Sequence, residues 1–175
     1  SKNIEKNKLQ IPPEYEGFPD PHIWFDVSLW VSASKEVTTA LIELIPDQKE
    51  YFQNNEKIYI SKLIELDSWI KEKINTIPTK NRQLVTAHDA FSYFGSAYNF
   101  NVIGLQGIST IAEASIKDIQ NTAEIIINNK IPTIFIESSV PIRQIQALQA
   151  AVKAKGWDVQ IGETLYTDAL GDPNT

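Results

Sequence analysis

The sequence predicts an α/β fold, a parallel sheet flanked by helices and preceded by one long helix. Three observations predict it. Short apolar runs at 84–87, 101–105, 133–136 and 157–161 alternate with helical periods of 10–15 residues, the pattern of βαβ units. No glycine or proline interrupts residues 47–77, which show apolar residues at helical steps. The composition, 42% apolar and 22% charged over 175 residues, is that of a chain able to bury a core without metals or disulfides.

The elements follow in order. Four of the nine prolines (Pro12, Pro13, Pro19, Pro21) fall in the first 21 residues and predict an extended, irregular lead-in. Asp26 has the position of an N-cap, and Val27, Trp30, Val31, Ser34, Val37, Leu41, Leu44 and Ile45 form a helical stripe that Pro46 ends. Asp47 is expected to cap the next helix. Phe52, Asn55, Tyr59, Leu63, Leu66, Ile70 and Ile74 share its stripe. At 1.5 Å per residue this helix is roughly 40–45 Å long, more than the width of a small domain, so it suits either a bundle or a link between two lobes. Beyond Pro78 come a strand at Leu84–Ala87, a helix at Ala90–Tyr98 and a strand at Asn101–Leu105. Ser115 with Asp118 reads as a capping box opening a helix through Ile127. A strand at Thr133–Ile136 follows. The next helix has Pro141 in its first turn and Gly156 as its stop, and a last strand covers Trp157–Ile161. The end, from Gly171, reads as loop.

Sixteen basic against 22 acidic residues give a formal charge of −6, which argues against nucleic acid or an anionic membrane surface as partner. The absence of cysteine excludes a disulfide framework, a thiolate zinc site, an iron–sulfur cluster and a cysteine nucleophile. No apolar run approaches 18 residues. With no initiator Met and a polar, lysine-rich Ser1–Lys8, the chain is expected to start downstream of a removed signal segment or a further domain.

Ligands of open α/β sheets bind beyond the carboxyl ends of the strands. There the sequence places Thr86-Ala87-His88-Asp89, Glu137-Ser138-Ser139 and Tyr166-Thr167-Asp168-Ala169. The only other imidazole, His22, precedes the first helix. Two His and a carboxylate are good ligands for Zn²⁺, Mn²⁺ or a related ion. The spacing is long, however, and a His near a helix start is also an ordinary cap or polar contact, so the residues alone leave both open. Asp20, Asp26 and Asp89 read first as turn and cap residues, Phe91, Tyr93, Phe94 and Tyr98 as core, and Glu137 as a rim salt bridge. Gly95, Gly104 and Gly107 make no phosphate loop.

Five blocks carry a family resemblance. Asp20-Pro21-His22-Ile23-Trp24-Phe25-Asp26, Val85–Phe94, Gly104–Thr110, Phe135–Ser139 and Leu165–Gly171 resemble, in order and spacing, the zinc- and manganese-binding solute-binding proteins of ABC transporters. The resemblance implies a two-lobe α/β architecture joined by one long helix, with the metal held in the cleft. It implies His22, His88 and Asp168 as three of four metal ligands, the first ligand lying upstream. It also implies that residues 1–46 are the remnant of an N-terminal lobe, 47–77 the linking helix and 78–175 a truncated C-terminal lobe.

The function so implied is extracytoplasmic capture of a divalent transition metal for delivery to a membrane permease, with no reaction catalysed. The metal is the transported ligand. The membrane would be reached only through an N-terminal lipid anchor absent from this chain. A His at position 88 makes the ligand set nitrogen-rich, which favours zinc by ligand preference; His-containing members of the resembled family are associated with manganese as well. Two other functions compete with it: a metal-dependent hydrolase with His22, His88 and Asp168 as ligands and Glu137 as general base, and a metal-free adhesin or interaction module.

Overall fold

The computed structural model describes residues 8–12 and 17–171. The expected lead-in at Pro13 and the loop beyond Gly171 lie outside the described residues. The chain divides into two compact units. The first comprises residues 1–78 with 96–98, and the second comprises 79–95 with 99–175.

The first unit is built on α1 (Val27–Leu44) and α2 (Lys49–Asn75). Asp26 starts α1: its Oδ1 accepts hydrogen bonds from Ser28 N at 2.8 Å and Leu29 N at 3.4 Å, satisfying two of the backbone donors that a helix start leaves over. Asp47 does not cap α2. Pro46 opens a short 3-10 turn, Pro46–Gln48, that absorbs Asp47, and Gln48 takes the cap position without a side-chain bond. The 27 residues of α2 run unbroken, a length of about 40 Å at 1.5 Å per residue.

Val27, Leu29, Leu63 and Ile74 are buried, but much of the two apolar stripes is not: Val37 is 60% and Leu44 76% exposed. Between the helices lies a cavity of about 500 Å³, lined among others by Trp30, Val37, Leu41, Phe52 and Tyr59. The Trp30 indole N–H donates to Tyr59 Oη at 2.9 Å across the pair. The last turn of α3 (Ser92–Tyr98) belongs to this unit: Tyr98 Oη donates to Asp67 Oδ1 at 3.0 Å. Burial, and then the bond to the Asp67 carboxylate, hold the Tyr98 phenol well above its ordinary range.

The second unit carries the sheet. Strand β1 (Gln83–His88) pairs in parallel with β2 (Asn101–Gln106), with Leu84 opposite Val102 and His88 opposite Gln106. Strand β3 (Thr133–Glu137) pairs in parallel with β4 (Gln160–Leu165). The two parallel pairs are separate two-stranded ladders, and β1 and β3 pack side by side between them. Parallel neighbours need crossovers. These are supplied by α3 in the first pair and by α5 (Arg143–Ala154) in the second, while α4 (Ile116–Asn128) links the two pairs. Ser115 and Asp118 form the expected reciprocal box at the start of α4, and those bonds hold the Asp118 carboxyl below its ordinary range. Gly156 ends α5 at φ +89°, a conformation that costs glycine little.

Two boundaries differ from expectation. Pro141 precedes α5, which begins at Arg143. Strand β4 begins three residues later than its apolar run. Trp157 N donates to Val152 O and its indole N–H to Ile131 O, so Trp157 closes the helix end, and pairing starts where Gln160 N reaches Pro132 O. The core is Val85, Ala123, Ile126, Ile134, Ile145 and Leu148 with their neighbours, all from strands and helices of this unit.

Candidate metal centre

Strands β1 and β3 pack side by side, and each is paired with a different strand, β2 or β4, so their junction has the character of a topological switch point. The carboxyl ends of strands at such a point form a crevice. His88 is the last residue of β1 and Glu137 the last of β3. Both are buried, His88 completely. Glu137 Oε1 accepts a hydrogen bond from His88 N at 2.9 Å, and Glu137 Oε2 stands 2.5 Å from His88 Nδ1. On the other edge of the ring, Asp168 Oδ2 lies 3.3 Å from Nε2, with the Asp168 side chain on the open side.

That last distance has a chemical meaning. Two ligands each about 2.1 Å from a tetrahedral ion are about 3.4 Å apart. The Nε2 edge of His88 and the Asp168 carboxylate therefore stand at the spacing of two ligands of one ion.

The backbone around His88 is tightly set. Thr86 Oγ1 donates to His88 O at 2.8 Å, and Asp89 N donates to Gln106 O at 3.1 Å. Gly104 permits this turn: a Cβ there would lie 2.7 Å from Asp89 N. Asp89 Oδ1 accepts from Ser92 Oγ at 2.7 Å at the head of α3, as its turn reading anticipated. Ser139 and Thr167, flanking the crevice, share a hydroxyl–hydroxyl bond of 2.7 Å that ties the turn after β3 to the segment bearing Asp168.

His22 belongs to the first unit. It occupies the cap position of the short turn Ile23–Phe25, yet its ring caps nothing. Asp20 Oδ1 accepts from His22 N at 2.9 Å and lies 2.7 Å from His22 Nδ1, and both residues are buried. Trp24 meets the imidazole edge-on, centroids 5.2 Å apart.

Two sequence readings are corrected. Glu137 is not a rim salt bridge, nor is it placed as a general base facing solvent, because its side chain is buried, with Oε1 accepting from His88 N and Oε2 close to the His88 ring. Asp20 is more than a turn residue, since its carboxylate also holds an imidazole. A signal for Glu137 was present: a carboxylate closing the apolar strand Thr133–Ile136 needs a buried partner. Among the described residues no helix is long and apolar enough to cross a membrane.

The family model described as zinc-uptake complex component A, periplasmic, matches residues 1–175. The zinc-binding protein TroA of Treponema pallidum is 47% identical over 156 residues, 89% of this chain and 51% of the relative. The manganese-binding lipoprotein MntA of Bacillus subtilis is 42% identical over 172 residues, 98% of this chain and 56% of the relative. The solved structure of TroA from Treponema pallidum superposes with a TM-score of 0.94 at 44% identity, covering 99% of this chain and 62% of that one. That of Fe(III)-bound YtgA from Chlamydia trachomatis gives 0.86 at 36% identity, covering 98% and 63%. The chain spans about half the length of the curated relatives it matches.

Proposed function

The chain belongs to the zinc-uptake complex component A family, and from that membership and the His88–Asp168 geometry we propose that it takes part in capturing a divalent transition metal, zinc or manganese, outside the cytoplasm for delivery to the permease of an ABC transporter. His22, His88 and Asp168 are assigned as ligands. Residues 1–46 are read as the end of a first lobe, 47–77 as the linking helix and 78–175 as the C-terminal lobe. The observation that carries the proposal is the 3.3 Å approach of Asp168 Oδ2 to His88 Nε2 on a completely buried ring.

Neutral imidazole and ionised carboxylate suit both metals. A site closed by protein ligands is a binding design, whereas metal catalysis needs an open position for water or substrate. The burial of Glu137 against His88 supports the same reading, since it takes this carboxylate away from solvent. The names of the relatives, one zinc-binding and one a manganese-binding lipoprotein, support both the cargo and the extracytoplasmic location.

The test is calorimetric titration of zinc and of manganese into the chain and into Asp168→Ala. The variant is expected to lose more than the roughly 10–100-fold that an outer partner of a metal ligand is worth. Asp168 is exposed, so the melting temperature is expected to hold and report an intact fold. Equal affinities for both proteins would overturn the assignment.

A further inference from the structure

The run that carries His22 is held at both ends by one turn of helix. Within the first unit, Gln10 O accepts from Asp20 N at 2.9 Å, and the Gln10 side-chain amide donates to Ser96 Oγ at 2.9 Å. At the other end Tyr98 Oη accepts from Val27 N, the first backbone donor of α1, and donates its own proton to Asp67 Oδ1 in α2 at 3.0 Å. A tyrosine hydroxyl has one proton to give and a lone pair to receive a second bond, so the oxygen of this one buried residue joins three helices. Ser96 and Tyr98 share the last turn of α3, the part of that helix that folds with the first unit. Between the two grips the chain is short and bonded to itself: Ile23 N donates to Pro21 O at 2.8 Å, and Asp26 N to Ile23 O at 3.1 Å.

We propose that Ser96 and Tyr98 form a bracket that fixes residues 20–27, with Tyr98 as a positioning residue for His22. The inference rests on the metal-capture reading for its purpose, since a ligand set must be held in place by the residues around it. The bracket itself is a matter of hydrogen bonding and does not depend on that reading. Asp26 satisfies Ser28 N and Leu29 N, which leaves Val27 N as the donor at the start of α1 that a partner from another element must take. Without Tyr98 Oη, the buried Val27 N–H and the Asp67 carboxylate lose the oxygen they share, and a buried donor left unmade is costly. The start of α1 then opens more often, and His22, on the same self-bonded run, loses one of its two fixed ends. A phenylalanine at position 98 would still fill the space of the ring, so the work of the oxygen can be separated from that of the aromatic body.

The experiment is ¹H–¹³C correlation NMR of the histidine rings and hydrogen exchange of the Val27 amide in the metal-free chain at one fixed pH, with zinc titrations alongside. The proteins are the wild type, Tyr98→Phe, Asp67→Asn and Tyr59→Phe. The chain has only two histidines, so each ring gives its own signals. In Tyr98→Phe the His22 signals are expected to move or broaden and Val27 to exchange faster, while the His88 signals hold; a general loosening of the fold would move both rings. Asp67→Asn keeps an acceptor for the Tyr98 proton and is expected to behave as the wild type. Tyr59→Phe removes a hydroxyl from the same unit, the acceptor of the Trp30 indole, and is expected to leave both rings unchanged. Zinc affinity is expected to fall roughly 2–30-fold in Tyr98→Phe, the range for residues that act on a site through others, and to hold in the other two variants. Unchanged His22 signals and unchanged Val27 exchange in a folded Tyr98→Phe would overturn the proposal, as would equal changes in Tyr59→Phe. Should Tyr98→Phe not fold, Ser96→Ala, at an exposed position, tests the other grip by the same His22 signals, and no change there would overturn the bracket. If the wild type binds neither zinc nor manganese, the metal-capture reading falls and the ring signals and Val27 exchange decide the bracket alone.

Discussion

Replacing Gly104 with alanine would put a Cβ 2.7 Å from Asp89 N and 2.9 Å from Asp89 Cα, where ordinary contact begins at 3.4 Å. Both clashing atoms are backbone, so no side-chain rotation relieves them. Strand β2 is held by its register with β1, Thr86 opposite Gly104, and Asp89 is held by its bond to Gln106 O. The strain must therefore move the turn that follows His88 by several tenths of an ångström. Overpacking of this kind costs about 2 kcal/mol, within the usual range of about 1–3. For a chain of this size that lowers the melting temperature by roughly 4–8 °C. Because His88 is the residue before Asp89, zinc affinity is expected to fall with stability. Gly107→Ala is the internal control: its Cβ meets nothing within 4 Å, and its effect is expected to stay within about 0.5 kcal/mol. Thermal melts and zinc titrations of the two variants check the argument. A Gly104→Ala protein that melts and binds like the wild type would refute the claim that backbone contact there sets the His88 turn.

Two further predictions concern stability. Ile134, completely buried in β3, is expected to cost about 2–5 kcal/mol as alanine, whereas Val37→Ala, at 60% exposure, is expected to stay within about 0.5 kcal/mol by denaturant titration. Tyr98 contributes pH-dependent stability: its folded-state phenol is raised, so the contribution is complete below the unfolded value of about 10 and is lost as pH rises beyond it. Melting temperatures recorded from neutral to strongly alkaline pH are expected to fall less steeply for Tyr98→Phe than for the wild type, and equal slopes would refute the raised phenol.

Local chemistry was readable in advance where one residue decides it. Asp26 caps α1, Ser115 and Asp118 cap α4, and Gly156 stops α5, because each device lies within a few residues of sequence. The alternation of strand and helix periods announced the parallel pairing. The start of β4 was not readable, because the Trp157 indole bond to Ile131 O is made across 26 residues of sequence. At the site, strand-end logic picked out His88 and Asp168, since a strand end is a local property. The engagement of Glu137 with His88 depends on which strands are neighbours, a fact that no spacing contains. Asp20 was nearer to hand: an Asp two residues before a His has the reach of an Asx turn, and only the burial of both was hidden.

The stripes of α1 and α4 show where periodicity stops informing. Both helices repeat apolar residues at three and four positions, and the sequence does not distinguish them. In α4, Ala123 and Ile126 are completely buried, because β2 and α5 cover that face. In α1, Val27 and Leu29 are buried near the start, while Val37 stands open at the cavity shared with α2 and Leu44 is exposed at the helix end. A stripe of helical period reports the surface an element can bury, and the amount buried is set by its neighbours. Within its unit, α1 has one helix of comparable length beside it, and a helix pair covers a single seam of each partner. The rim that bears His88 and Glu137 stands instead on strands and helices packed around a shared core, so the side chains at its strand ends inherit positions fixed by many contacts. Such a support is what a ligand set held to within tenths of an ångström requires.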